Sequence, residues 1–370
     1  MDKLNYKVCV YGICKNEALN AEKWCKLASE ADIIIVGDTG STDNTVEILK
    51  KNGVNVYILD VDYFRFDECR NKVLAKIPED VDICVSMDFD DEINAGWRKQ
   101  LENAWDKNTK KASCKYNWSH NADGTPAISY EYPRIHARHN FKWFYPVHEV
   151  LEYIGKGIAK NVFINEMEIN HNPDNNKDRR FYLELLELAV KENPNSSRNL
   201  HYLGREYMFV QKWDKCIVMQ KKYLSLPTSL WDEERSAAMR FIARSYKAKE
   251  DFYNAKNWLH KAIAETPNLR EPYIDLAIIA HLEKDWVSMY YYSSFALRIK
   301  EKHLGYVNEI YAWNFNPYDL VAISAYWLGL KNIAIENSEI AMKLSPDNSR
   351  LINNHKYYVD INNYPKPLLN

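Results

Sequence analysis

Near Pro173 the chain changes character. Upstream, strand-like and helix-like segments take turns. Lys7–Ile13, Asp32–Val36, Val54–Leu59 and Asp82–Met87 read as strands, and Ala18–Ser29, Thr42–Lys51 and Phe66–Ile77 as helices. Ser41 or Thr42 would cap the second helix. Alternation of this kind implies a parallel sheet with helices on both faces, an α/β domain. Ligands of such sheets bind beyond the carboxyl ends of the strands. Downstream no further strand is evident, and apolar helices are closed by Pro at Pro194, Pro227, Pro267 and Pro346. The intervals are 33, 40 and 79 residues, the last close to two units of about 40. That period is the mark of stacked helix-turn-helix repeats, each burying its apolar stripe against its neighbours, so this half should form one curved solenoid. The expected division is an α/β domain over 1–172, an all-α repeat domain over 173–361 and a loose tail over 362–370.

With 370 residues the chain can bury two full cores. A formal net charge of −2 gives no general affinity for nucleic acid or anionic membrane. No apolar run approaches the roughly 20 residues of a membrane span. A strand begins almost at the N-terminus, which argues against a cleavable signal peptide. The seven cysteines are scattered without a C-x-x-C pair, and most sit in apolar contexts, so reduced core thiols are expected. Together these features point to the cytoplasm.

The chemistry concentrates at Ser86-Met87-Asp88-Phe89-Asp90-Asp91-Glu92, just after the apolar run Ile83-Cys84-Val85. Acids beside a buried strand are costly unless a cation or hydrogen bonds compensate them. Two carboxylates one residue apart can hold a divalent ion against substrate phosphates. The plainer alternative is a loop and helix start, with Asp88 or Asp90 capping a helix over Ala95–Ala104. Asn16-Glu17, Asp38 and Asp88/Asp90 all follow strand ends, which places them at one rim of the sheet. From Ser113 to His171, short strands (Ala127–Tyr132, Phe141–Phe144, Asn161–Ile169) suggest hairpins on the sheet edge. The cations Lys110, Lys111, Lys115, His120, Arg134, His136, Arg138, His139 and Lys142 collect in or beside it, as a solvated face or as a lip for an anionic donor or acceptor.

Seven ordered motifs resemble family-two nucleotide-sugar glycosyltransferases. Val8-Cys9-Val10-Tyr11-Gly12-Ile13-Cys14-Lys15-Asn16-Glu17 is similar to their first strand and Asn-Glu turn. Val36-Gly37-Asp38-Thr39-Gly40-Ser41-Thr42-Asp43-Asn44-Thr45 is similar to their second-strand signature, and Phe66-Asp67-Glu68-Cys69-Arg70-Asn71 to their Phe-x-x-x-Arg-Asn helix. Asp88-Phe89-Asp90 stands where the metal acids belong. Pro133-Arg134-Ile135, Val147-His148-Glu149 and Ile169-Asn170-His171 resemble the closing motifs of a branch that includes lipopolysaccharide-core glucosyltransferases and peptide S-glycosyltransferases. Tyr202-Leu203-Gly204…Tyr207 and Phe252…Ala255…Leu259…Ala262…Pro267 resemble tetratricopeptide repeats. Gly12 departs from the pattern, where a larger apolar residue is common, as does Phe89, where Ala is usual.

The resemblance implies a GT-A fold, a Rossmann-like mixed sheet, and a metal-dependent transfer with inversion from a nucleotide-diphosphate sugar, a UDP-sugar, to a protein, peptide or glycan acceptor. It implies Asp88, Asp90 and His171 as ligands of Mn²⁺ or Mg²⁺. Glu17, Asp38, Arg70 and Asp88 would meet the donor, and Glu149 would be the general base. His148, Arg134 and Cys14 join them as further site residues. The repeats would offer a surface to a protein partner or a second copy of the chain. Two alternatives stay open: an acceptor that is a modified DNA base, and an inactive domain serving as a binding scaffold.

Overall fold

The computed structural model describes residues 6–121, 124–173, 181–302 and 305–360. The chain divides into two compact units, Met1–Ala189 and Val190–Asn370. The tail expected over 362–370 lies outside the described residues.

In the first unit, strands β1 (Val8–Cys14), β2 (Ile33–Asp38), β3 (Asn55–Ile58) and β4 (Ile83–Ser86) alternate with helices α1 (Ala18–Ala28), α2 (Thr45–Lys51) and α3 (Phe66–Leu74). After them come β5 (Asp91–Ile93), α4 (Trp97–Ala104), β6 (Thr109–His120), β7 (Pro126–Ala137), β8 (Phe141–Phe144), β9 (Val150–Tyr153) and β10 (Lys160–His171). One eight-stranded sheet runs in the order β3-β2-β1-β4-β7-β6-β10-β5, and β8 pairs only with β9. Strands β1 to β4 are parallel, while β7 lies antiparallel to both β4 and β6, so the sheet is mixed. Side chains of β1 alternate between faces, as a strand's period of two requires. Val8 and Val10 enter the core beneath α1 with Trp24 and Val36, and Cys9 and Tyr11 enter the opposite core with Val73 and Trp143. All seven cysteines are buried thiols.

Several local expectations change. Of the segment read as edge hairpins, β7 and β10 are interior strands of the sheet, and β6, which lies between them, is absent from the sequence reading. Lysines at positions 111 and 115 alternate with buried Ala112, Cys114 and Tyr116, which hides the strand from a reading by apolar runs. Arg134 and His136 are buried, Lys115 pairs with Glu168, and Arg138 donates to the carbonyls of Ile77 and Pro78. Helix α2 starts at Thr45 rather than Thr42, because Ser41 and Thr42 are held by Asp38 and Asn16. Helix α4 starts at Trp97 after Gly96, so neither Asp88 nor Asp90 caps it.

The two departures from the family pattern have packing causes. A Cβ on Gly12 would lie 2.6 Å from the Met87 carbonyl oxygen, so β1 tolerates no side chain where it passes the end of β4. Phe89 stacks on Trp24 with centroids 4.5 Å apart, filling space an alanine would leave open.

Helix α5 (Phe181–Glu192) leads into the second unit. There α6 (Ser197–Phe209) pairs with α7 (Trp213–Ser225), α8 (Asp232–Ala248) with α9 (Phe252–Glu265), α10 (Glu271–Glu283) with α11 (Trp286–Arg298), and α12 (Asn316–Trp327) with α13 (Lys331–Leu344), before α14 (Ser349–Val359). The unit is tetratricopeptide-like. Each Pro of the expected series follows a helix end by two residues, and the 79-residue interval holds two helix pairs. Gly204 lets α6 and α7 close, since a Cβ there would meet the Gln220 side chain at 2.6 Å. The first helices α6, α8, α10 and α12 also touch one another in turn and so form an inner row. Most connections are short, but 17 residues separate α11 from α12. No helix among the described residues is long and apolar enough to cross a membrane.

Candidate active site

The carboxyl ends of β2, β1 and β4 lie side by side, with Cys14 opposite Asp38 and Tyr11 opposite Ser86 in register. The turns after β1 and β2 are knitted together. Asn16 N–H donates to Ser41 Oγ at 2.9 Å, Thr42 N–H to Asn16 Oδ1 at 2.7 Å, and Glu17 N–H to Thr45 Oγ1 at 2.7 Å. Asp38 is buried and accepts from the Gly40 and Ser41 N–H groups and from the Ser41 hydroxyl. The Cys14 thiol points at Asp38 Oδ1, 3.5 Å away. Burial, then the Asp38 charge, pushes that thiol far up, so it stays protonated. Glu17 is buried at the head of α1 and accepts from the Asn20 amide.

Asp88 sits between two buried guanidiniums. Arg70 Nη2 donates to its Oδ1 and Arg134 Nη2 to its Oδ2, both at 2.7 Å. Burial alone would raise this carboxyl, but Arg134 and Arg70 override it and hold it well below the usual carboxylate range. Arg70 also donates from Nε to Glu149 Oε1 at 2.6 Å and lies over the Trp143 ring at 4.8 Å. Two of its three guanidinium nitrogens are thus bonded to protein acids. Among the described residues, Arg134 Nε and Nη1 are buried without a hydrogen-bond partner, and the guanidinium packs over the Tyr132 ring at 4.5 Å. Glu149 reaches Arg70 from the β8–β9 loop, where Tyr145 (φ 74°) and His148 (φ 50°) both adopt left-handed backbone. Strain of that kind costs roughly 1–3 kcal/mol per residue and needs surrounding structure to hold it. Here the Pro146 carbonyl accepts from Phe66 N–H at 2.9 Å, which ties the loop to α3.

The potential metal ligands are Asp90, Asp91 and His171, each with one donor atom within 4.8 Å of the others'. Antiparallel pairing of β5 and β10 sets Asp91 directly opposite His171. Asp91 is buried, accepting from the Tyr116 hydroxyl at 2.8 Å and from Asp88 N–H at 3.3 Å. Burial, then Asp91, pushes the Tyr116 phenol up, so it remains a donor. His171 is 7 % exposed, and neither ring nitrogen has a hydrogen-bond partner among the described residues. Its Nδ1 lies 3.5 Å from Asp91 Oδ1 and 3.8 Å from Asp90 Oδ2, and Trp118 stacks on the ring at 4.5 Å. A buried imidazole without a partner, facing two carboxylates, suits a divalent cation. Asp88, expected beside Asp90 in that set, is turned to the arginines instead. Asp91, Tyr116 and Trp118 were missed from sequence. The Asp90-Asp91 doublet was a visible signal for the first, and the other two lie on the unrecognised β6.

The Glycosyl transferase family 2 model matches residues 14–156. Over that span the N-terminal unit is similar to family-two glycosyl transferases. Its match spans the Asp38 turn, the Asp88–Asp91 rim, Arg134 and the strained loop, and stops short of His171. Three solved structures are also similar to part of the chain. One is MamA, at 17% identity, covering 45% of this chain and 89% of that one with a TM-score of 0.37. A second is pilF of Pseudomonas aeruginosa, at 13%, covering 48% and 71% with 0.38. The third is a thermophilic TPR protein of Thermus thermophilus, at 16%, covering 48% and 88% with 0.34. The comparison with curated proteins finds no match.

Proposed function

We propose that the family-two-like domain transfers a sugar, with inversion, from a UDP-sugar or related nucleotide-diphosphate donor to a protein, peptide or glycan acceptor, in the cytoplasm. The observation that carries this reading is the convergence of Asp90, Asp91 and the unpartnered His171 at the sheet rim. These residues would hold Mn²⁺ or Mg²⁺, and a nitrogen in the donor set favours Mn²⁺. Such an ion supplies the charge that neutralises a departing diphosphate. Asp38 and Glu17 meet the base and ribose. Asp88, kept ionised by Arg70 and Arg134, fixes the loop that carries Asp90 and Asp91. Glu149, oriented by Arg70, takes the proton of the acceptor's nucleophile, with His148 beside it. The tetratricopeptide-like unit offers a surface to a protein acceptor or to a second copy of the chain.

A thermal-shift series over nucleotide sugars, with and without Mn²⁺, tests the reading, because a ligand specific to the folded state raises its melting temperature by mass action. One donor should stabilise the protein only when Mn²⁺ is present, and Asp90→Ala should abolish that shift and donor hydrolysis together. Mn²⁺-independent binding, or none by any nucleotide sugar, refutes it and leaves the scaffold role. Glu149→Gln should lower kcat by about 10²–10⁴ with donor binding retained.

A further inference from the structure

The inner row of the second unit is occupied by the chain itself. Residues 305–313, Gly-Tyr-Val-Asn-Glu-Ile-Tyr-Ala-Trp, belong to the long connection between α11 and α12, yet they lie against α6, α8 and α10. Tyr306 stacks on Tyr202 of α6 and donates its hydroxyl to Glu234 of α8. Glu309 pairs with Arg240, and with Arg244 through two bonds of 2.8 and 2.7 Å. Arg240 Nη2 also donates to the Val307 carbonyl at 2.9 Å. Tyr311, in a single 3₁₀ turn over Ile310–Ala312, accepts from Arg244 at 2.7 Å and donates to Asp275 of α10 at 3.0 Å. Trp313 Nε1 donates to Glu271 at 3.0 Å.

The two helices present their charges one turn apart, Arg240 and Arg244 on α8 and Glu271 and Asp275 on α10. That spacing sets each pair on one helix face. Arg240 is fully buried, and its carboxylate partner comes from the inserted segment rather than from a neighbouring helix. A repeat core has no need of a buried cation on its inner face. A surface that recognises an acidic, aromatic peptide does. We propose that the inner face of α6, α8 and α10 is a peptide-recognition surface for a Glu-x-Tyr-x-Trp pattern, and that residues 305–313 are its resident ligand, exchangeable for a partner segment of the same pattern. The proposal is independent of the donor site. Tethering in cis gives the resident segment a high effective concentration, so a free peptide competes poorly until the segment is released.

The test uses a labelled nonapeptide with the sequence of 305–313 and the full chain with those residues replaced by Gly and Ser at equal length. The replaced variant should bind the peptide roughly 10²-fold more tightly than the wild type does. Arg244→Ala in that variant, or Gln for Glu in the peptide, should cost at least about tenfold, the scale of a lost charge-assisted bond. If the replaced variant is unfolded alone, the peptide should restore its cooperative melt. A second variant, Glu309→Gln, should speed amide exchange across 306–312 and make peptide binding measurable. A folded replaced variant that ignores the peptide, an unfolded one that the peptide does not rescue, or unchanged exchange in Glu309→Gln overturns the proposal.

Discussion

Asp88 is bound on both of its oxygens by protein cations. Its two oxygens are the shared counter-charge of Arg70 and Arg134, both almost wholly buried. Removing one member of such a set leaves a buried charge uncompensated, which typically costs about 3–5 kcal/mol. Asp88→Asn should therefore destabilise the N-terminal unit by about that amount in denaturant unfolding, whether or not Mn²⁺ is present. A variant that melts like wild type but loses donor binding would instead make Asp88 a direct ligand. From sequence, the acids were legible as a group because they follow an apolar run. Which of them faces a cation and which faces an arginine was not, since Arg70 and Arg134 come from elements 18 and 46 residues away.

Strand β1 carries the site at the scale of elements. It pairs with β2 on one side and β4 on the other, so its path sets the separation between the Asp38 turn and the acid rim. Gly12 is where that path is tightest. Gly12→Ala should push β1 away from the Met87 carbonyl and cost roughly 1–3 kcal/mol, the usual range for overpacking. Donor affinity should fall with it, because Met87 adjoins Asp88. Unaltered melting and donor binding would show that the strands yield without moving the rim. The parallel strands and the Pro-closed helix pairs were readable from local pattern. Strand β6 was not, because lysines share its alternation, and β5 was too short to register. Those two strands bring Tyr116 and Asp91 to His171.

Each of the two units buries a neutral imidazole. His136 is fully buried, with Nδ1 bonded to the Ala137 carbonyl and Nε2 to the Tyr11 hydroxyl, both at 2.8 Å. Trp143 Nε1 donates to that same hydroxyl at 3.0 Å, so Tyr11 donates onward and the proton of His136 sits on Nδ1. Burial pulls His136 down to about 4, and His201 in the second unit well below its ordinary 6.5. A folded pKa below the unfolded one means that the unfolded chain takes the proton first. Stability is therefore complete above about pH 6.5 and falls as pH drops toward the folded value. For His136 the window is about 6.5 to 4, and the loss is roughly 3 kcal/mol. Melting of the N-terminal unit should decline across that range, and His136→Gln should flatten the decline. A profile as steep in the variant would assign the titration elsewhere. At this scale local chemistry in the sequence was enough for the α/β-then-helical order, the rim of acids and the repeat period, because strand alternation, helix spacing and Pro breaks act over a few neighbouring residues. Only the folded chain could select Asp91 over Asp88 as the partner of His171, bond Arg70 to protein acids and lay residues 305–313 along α8 and α10. Those choices join side chains tens of residues apart, and their energies depend on burial and register that no local pattern contains.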